Sequence, residues 1–150
     1  YNQDRGEIAI GYESFASVMN QTSERFEFMS FDYGELAARS DFSIRDYQNH
    51  QVYPLFDESL DLAESLGGSD ITYDVNFTHV REAFEQAGIT CAQYATQLVA
   101  LIEMGILDLL AMLKEHTSDE IYQQELEKVK ILITPSLMGE RFKMIRFVKE

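Results

Sequence analysis

Apolar side chains crowd residues 26–31, where Phe26, Phe28, Met29 and Phe31 put bulk on both faces of a period-two strand. Such a strand belongs in a sheet covered on both sides. It runs directly into Asp32-Tyr33-Gly34-Glu35. A carboxylate and a phenol then stand just past a carboxyl-terminal strand end, the place where open α/β sheets bind ligands. A plain turn is the competing reading, since Asp and Gly are both common turn formers. Upstream, Tyr12, Phe15, Ala16 and Met19 recur at helical spacing after Gly11, and the short apolar run at 6–10 suits a strand. Strand, helix and strand in this order predict a crossover unit with parallel pairing.

The pattern loosens over 35–70, a long irregular connection of the kind used for lids and substrate loops. Within it Pro54 makes Tyr53 extended, and Leu60, Leu62, Ala63 and Leu66 predict a helix over 57–66 closed by Gly67 or Gly68. Phe77, Val80, Phe84 and Ala87 mark a clearer helix, with Asn76 as cap and Gly88 as stop. A strand follows over 89–95. Thr96 can cap a helix bearing Leu98, Leu101 and Ile102, and Gly105 serves as hinge to another with Ile106, Leu109, Leu110 and Leu113 inward. Thr117 and Glu120 have capping-box spacing ahead of Tyr122, Leu126, Val129 and Ile133, and Pro135 ends that helix. The final run, 142–148, is apolar on both faces, so it should lie inside the sheet.

At 150 residues the chain has single-domain size and should bury roughly 68–70% of its unfolded surface. Its formal charge is −14. Residues 1–75 hold four Arg against 15 acids, whereas 76–150 hold eight Lys and Arg against 11 acids. A field of this sign repels phosphate backbones and disfavours nucleic acid as a partner, while a basic protein segment would be attracted. The lone Cys91 excludes an internal disulfide, and no run of 18 apolar residues predicts membrane insertion. The expected location is therefore cytoplasmic. The chain begins Tyr-Asn-Gln, so upstream residues are expected to be missing. Scattered histidines and a lone cysteine predict no metal site.

Four segments, in order, resemble the C-terminal part of the MidA-like family of S-adenosylmethionine-dependent methyltransferases, which includes mitochondrial complex I assembly factors. They are SFDYGE at 30–35, SDITYDVNF at 69–77, ATQLVALIEMGI at 95–106 and LMGERFKMI at 137–145. The resemblance implies an α/β fold: the C-terminal portion of a Rossmann-like methyltransferase sheet, with an antiparallel last strand between its fifth and sixth strands and inserted helices. Residues 1–150 would form that part of the domain, with a substrate-side loop at about 35–70 and a helical insertion at about 96–134. The family's glycine-rich cofactor loop has no counterpart here, and Asn76 stands where an Asp is common. The chain is thus expected to be a fragment of a longer enzyme or a shortened relative. S-adenosyl-L-methionine would serve the full-length enzyme, with no tight binding to this chain alone and no cofactor residues identifiable in it.

The resemblance points to arginine in a protein substrate as the methyl acceptor, with a respiratory-complex subunit among the candidates. Asp32 is the catalytic candidate, because a carboxylate can orient a guanidinium by bidentate hydrogen bonds. Tyr33, Gly34, His50, Asp70, Asp74 and Asn76 are the substrate-binding candidates. Against each stands a plainer role: an Asx turn for Asp32, packing for Tyr33, conformation for Gly34, a surface position for His50, and helix capping for Asp74 or Asn76. The rival function is a non-catalytic acidic protein-binding or assembly module. The absent neighbour of strand 26–31 also predicts a homo-oligomer or association with a missing N-terminal portion.

Overall fold

The computed structural model describes residues 7–37, 41–48, 51–55, 57 and 61–150, with Leu62 and Glu64 described in their backbone only. A four-stranded sheet carries the molecule. Helix α1 (Tyr12–Thr22) leads into β1 (Phe26–Glu35), and the short β5 (Val75–Asn76) leads into α3 (Phe77–Gln86) and β6 (Thr90–Thr96). Three helices follow, α4 (Gln97–Glu103), α5 (Ile106–His116) and α6 (Asp119–Ile133), then a distorted wide turn, Pro135–Gly139, and β7 (Phe142–Lys149). The strand order is β5-β1-β7-β6. β7 runs antiparallel to both β1 and β6, and so occupies the middle as its two-sided apolarity requires.

Strand alternation assigns the faces. Phe28, Ser30 and Asp32 of β1 stand opposite Phe147, Ile145 and Lys143 of β7, and Tyr94 of β6 stands opposite Ile145. This face is covered by α1 and α3. Its core gathers Ala16, Phe77, Val80, Phe84, Ile89, Ile145 and Phe147. Phe84 stacks on Phe147 with centroids 4.1 Å apart and on Phe28 at 5.6 Å. The opposite face holds the fully buried Met144, beneath the helices after β6.

The inserted helices are fastened by two residues of the quoted segments. Gln97 is buried and its Nε2 donates to the carbonyl of Leu132 at 2.8 Å, tying the start of α4 to the end of α6. Gly139 lies so close to the α6 terminus that a Cβ there would stand 2.5 Å from the Ile133 carbonyl oxygen. Asn76 caps α3 and Thr96 caps α4 through their side-chain oxygens. Gly105 takes a left-handed φ of 86° between α4 and α5, as the hinge reading expects.

Several expectations are corrected. Residues 7–10 form no strand; Ile8 and Ile10 are 83% and 92% exposed. The predicted parallel crossover is therefore absent there. Among the described residues the main sheet's parallel pairing is Gly34 with Val75 and Glu35 with Asn76. Glu7 instead accepts hydrogen bonds from the Ser43 hydroxyl and amide and from the Ile44 amide, fastening the N-terminal segment to the next loop. β1 runs on to Glu35, so Asp32 lies within the strand, because β7 offers ladder partners as far as Tyr33.

Within 35–70 a second sheet forms from β2 (Arg45–Gln48), β3 (Gln51–Pro54) and β4 (Asp70–Thr72), in the order β3-β2-β4. The helix expected over 57–66 is a single turn, α2 (Leu62–Ser65), among the described residues. The cap of α6 is Ser118, which accepts from the Ile121 amide. Thr117 does not cap, because its hydroxyl donates back to the Leu113 carbonyl at 2.8 Å.

Candidate functional site

The end of β1 collects polar groups from six elements. Asp32 is half-buried on the α1/α3 face, and its Oδ1 accepts the Tyr33 amide at 2.8 Å, an Asx arrangement inside a strand. Gly34 is buried with φ 152°, and its backbone lies against Val75 so closely that a Cβ would meet the Val75 carbonyl oxygen at 2.0 Å. That approach lets β5 pair with β1 and sets Asn76 beside Glu35. Asn76 then accepts the His79 amide at 3.3 Å as it opens α3.

Tyr12 and His79 overhang this end from α1 and α3. The Tyr12 and Tyr73 hydroxyls are 2.7 Å apart, and the His79 ring meets Tyr12 edge-on at 5.2 Å. His79 Nε2 lies 2.8 Å from Glu13 Oε1. Burial first, then the Tyr73 hydrogen bond, push the Tyr12 phenol well above its ordinary range, with a smaller contribution from the charge of Asp32. The hydrogen bond to His79 holds the Glu13 carboxyl below its ordinary value. A depressed carboxylate contributes stability that is present above the unfolded pKa and lost as pH falls through the folded one. Glu13→Gln is therefore expected to flatten the acid limb of the stability profile below about pH 4, as measured by thermal unfolding across pH. An unchanged acid limb would refute the Glu13–His79 tie.

Below Asp32, Lys143 is only 8% exposed. Its Nζ donates to Glu35 Oε1 at 3.0 Å and to the Glu140 carbonyl at 2.6 Å. Tyr94 stands next along this face, its hydroxyl buried without a hydrogen-bond partner among the described residues and its ring 5.4 Å from Phe77. Burial, and then the charge of Glu35, push the Tyr94 phenol up to about 12.

Asp32 and Gly34 lie in the last four residues of β1, and Asn76 lies in register with Glu35 at that same end of the sheet. Tyr33 points to the opposite face, where its ring meets Phe142 edge-on at 5.6 Å. Asp70 begins β4 and pairs with Tyr47 in the small sheet, away from the β1 end. The Asp74 amide donates to Ser43 at 2.8 Å, so it helps anchor the small-sheet segment to the strand that follows. His50 lies outside the described residues. Glu35, Lys143, Tyr12, Tyr73 and the Glu13–His79 pair were not among the sequence candidates. One signal was available: a lysine within an apolar central strand must find an anion to be buried.

A family profile described as "Putative S-adenosyl-L-methionine-dependent methyltransferase" matches residues 2–95. "Protein arginine methyltransferase NDUFAF7, mitochondrial" from Xenopus laevis is 32% identical over 118 residues, covering 78% of this chain and 25% of that protein. The Danio rerio protein of the same name is 32% identical over 112 residues, 74% of this chain and 24% of that protein. Among solved structures, an uncharacterized Burkholderia thailandensis protein superposes with TM-score 0.75 at 26% identity, over 90% of this chain and 36% of that one. A Burkholderia thailandensis protein bound to S-adenosyl-homocysteine superposes with TM-score 0.72 at 26% identity, over 90% of this chain and 35% of that one. The chain spans about a quarter of the length of these curated relatives. The sheet is accordingly a Rossmann-like methyltransferase sheet of mixed strand direction with inserted helices. The expectation of a cytoplasmic location is corrected, because the curated relatives matched are named as mitochondrial.

Proposed function

The chain belongs to the S-adenosylmethionine-dependent methyltransferase family matched over residues 2–95, and from that premise we propose that it forms the acceptor side of a longer protein arginine methyltransferase. The observation that carries this reading is Asp32. It is a half-buried carboxylate on the helix-covered face near the end of β1, with Gly34 two residues further along the strand and Asn76 in register with Glu35. Arginine as acceptor is supported by the names of the curated relatives and by the carboxylates gathered at this end. Asp32 Oδ1 is held by the Tyr33 amide, and Oδ2 is the atom that would accept a guanidinium N–H. A proton released as the acceptor nitrogen is alkylated would pass to the same oxygen. The loop region 35–70 would flank the substrate, with Asp70 and Asp74 at its far end, and the helical insertion 96–134 would close the opposite side of the domain.

In this family the donor supplies a methyl group activated on a sulfonium. The groove between α1 and α3, about 290 Å³, is lined by Glu13, Ser17, Asn20, Ala83, Gln86 and Ala87. It offers no aromatic or broad aliphatic wall against which adenine could stack. The residues lining this groove do not fit the donor, and the roles proposed for this chain are those toward the acceptor. Among the described residues no helix is long and apolar enough to cross a membrane. The partner is read as a protein substrate, with a mitochondrial setting and a respiratory-complex subunit as one acceptor.

The test is transfer of labelled methyl groups to arginine-containing protein by the longer protein that carries this chain. Asp32→Asn, nearly isosteric, is expected to lower kcat/KM by about 10²-fold, within the range removed with a general base. Activity within threefold of wild type would refute the role of Asp32.

A further inference from the structure

Lys143 sits in the most buried strand of the sheet, and its ammonium is spent on two acceptors, the Glu35 carboxylate and the Glu140 carbonyl. Such a cation is costly unless its position is useful or its partners are excellent. Glu35 is 67% exposed in its side chain. Without a tie, a glutamate so placed samples many rotamers and presents no fixed geometry. Strand alternation starts Glu35 on the face of Tyr33, and the bond from Lys143 Nζ to its Oε1 brings the carboxylate to the Lys143 side of the strand end, where Asp32 stands across the ladder from Lys143.

We propose that Lys143 is a positioning residue, and that the Glu35 carboxylate it holds is a second acceptor ligand, its Oε2 taking one guanidinium N–H while Asp32 takes another. The inference rests on the arginine reading given above and specifies how that acceptor is gripped. Two carboxylates and one ammonium leave one formal negative charge, which matches one guanidinium. Arginine's planar fork offers several donors in fixed directions, so two carboxylates held in place suit it better than the point charge of lysine.

Charge and positioning predict opposite signs. Removing Lys143 makes the site more negative, so a purely Coulombic role would tighten binding of a cationic acceptor. A positioning role weakens it. In the longer protein, Lys143→Met is expected to raise KM for an arginine peptide about tenfold with kcat changed less than threefold. Lys143→Arg should restore most of that loss. Glu35→Gln, at an exposed position that the fold tolerates, should raise KM by a similar factor, and the Lys143→Met/Glu35→Gln pair should be no worse than either alone. An unchanged or lowered KM in Lys143→Met, or additive losses in the pair, would overturn the proposal.

If wild-type protein transfers nothing to arginine, the functional reading falls by itself. The grip is then judged by titrating wild type and Glu35→Gln with N-acetyl-arginine amide, followed by NMR. Binding that Glu35→Gln weakens about tenfold sustains the proposal, and binding indifferent to Glu35, or no binding, ends it.

Discussion

Gly34→Ala is expected to cost more than about 3 kcal/mol and to detach β5 from β1. The new Cβ would stand 2.0 Å from the Val75 carbonyl oxygen and 2.6 Å from its nitrogen, both backbone atoms that no rotamer change can move. Gly34 also takes φ 152°, which side chains rarely adopt. Gly67 separates the two causes. It has φ 89° but nothing within 4 Å of an added Cβ, so Gly67→Ala should cost only the left-handed penalty of about 1–2 kcal/mol. Denaturant unfolding of both variants checks the comparison. Equal losses at the two glycines would show that the close approach to Val75 is not what demands glycine. Because Asn76 follows Val75 and caps α3, the damage should spread to the start of that helix and to the site beside Glu35.

Phe84→Ala should destabilise the fold by about 3–5 kcal/mol, the usual range for emptying a buried phenylalanine site. Phe84 is the meeting point of the aromatic core: it stacks on Phe147 and Phe28 and meets Phe15 edge-on at 5.9 Å. Those rings come from α1, β1 and β7, so the vacated space adjoins three elements and cannot be closed by one small shift. The midpoint of urea unfolding should fall with little change in slope. A loss below about 1.5 kcal/mol would mean that the surrounding rings collapse into the space and the stack does not hold its geometry without Phe84. Phe28→Ala and Phe84→Ala together should fall short of the sum of their separate effects, because each removes part of the same stack.

What the sequence made legible follows the range of the interactions involved. The stripe of Tyr12, Phe15, Ala16 and Met19, the cap Asn76, the hinge Gly105 and the stop before Pro135 are local signals, each complete within a few residues, and each has its element. The place of β7 was readable for a related reason. A strand apolar on both faces has only the interior of a sheet open to it.

Non-local partnerships were not readable. Glu35 and Lys143 are 108 residues apart, and nothing near either names the other. The run Ile8-Ala9-Ile10 has strand composition but no paired strand among the described residues, so composition misled there. Among the described residues of 35–70 the fully buried side chains are Ser43, Asp46 and Ser65, polar residues that hydrophobic periodicity cannot find, which is why the small sheet went unread. Asp32 was expected just past its strand, but β7 pairs as far as Tyr33 and β5 pairs Gly34 and Glu35, so the strand's end is set by segments about 40 and over 100 residues later. The slip from Ser118 to Thr117 has a simpler cause: both are hydroxyls, and which one caps depends on where α5 releases the chain.

The outer rim of β1 is paired by a described strand only at Gly34 and Glu35. From Phe26 to Tyr33 its amides and carbonyls on that side form a ready template for any extended polypeptide. Among the described residues no strand pairs that side of the stretch, so association by strand addition between copies would be opposed chiefly by their like charge, formally −14 each.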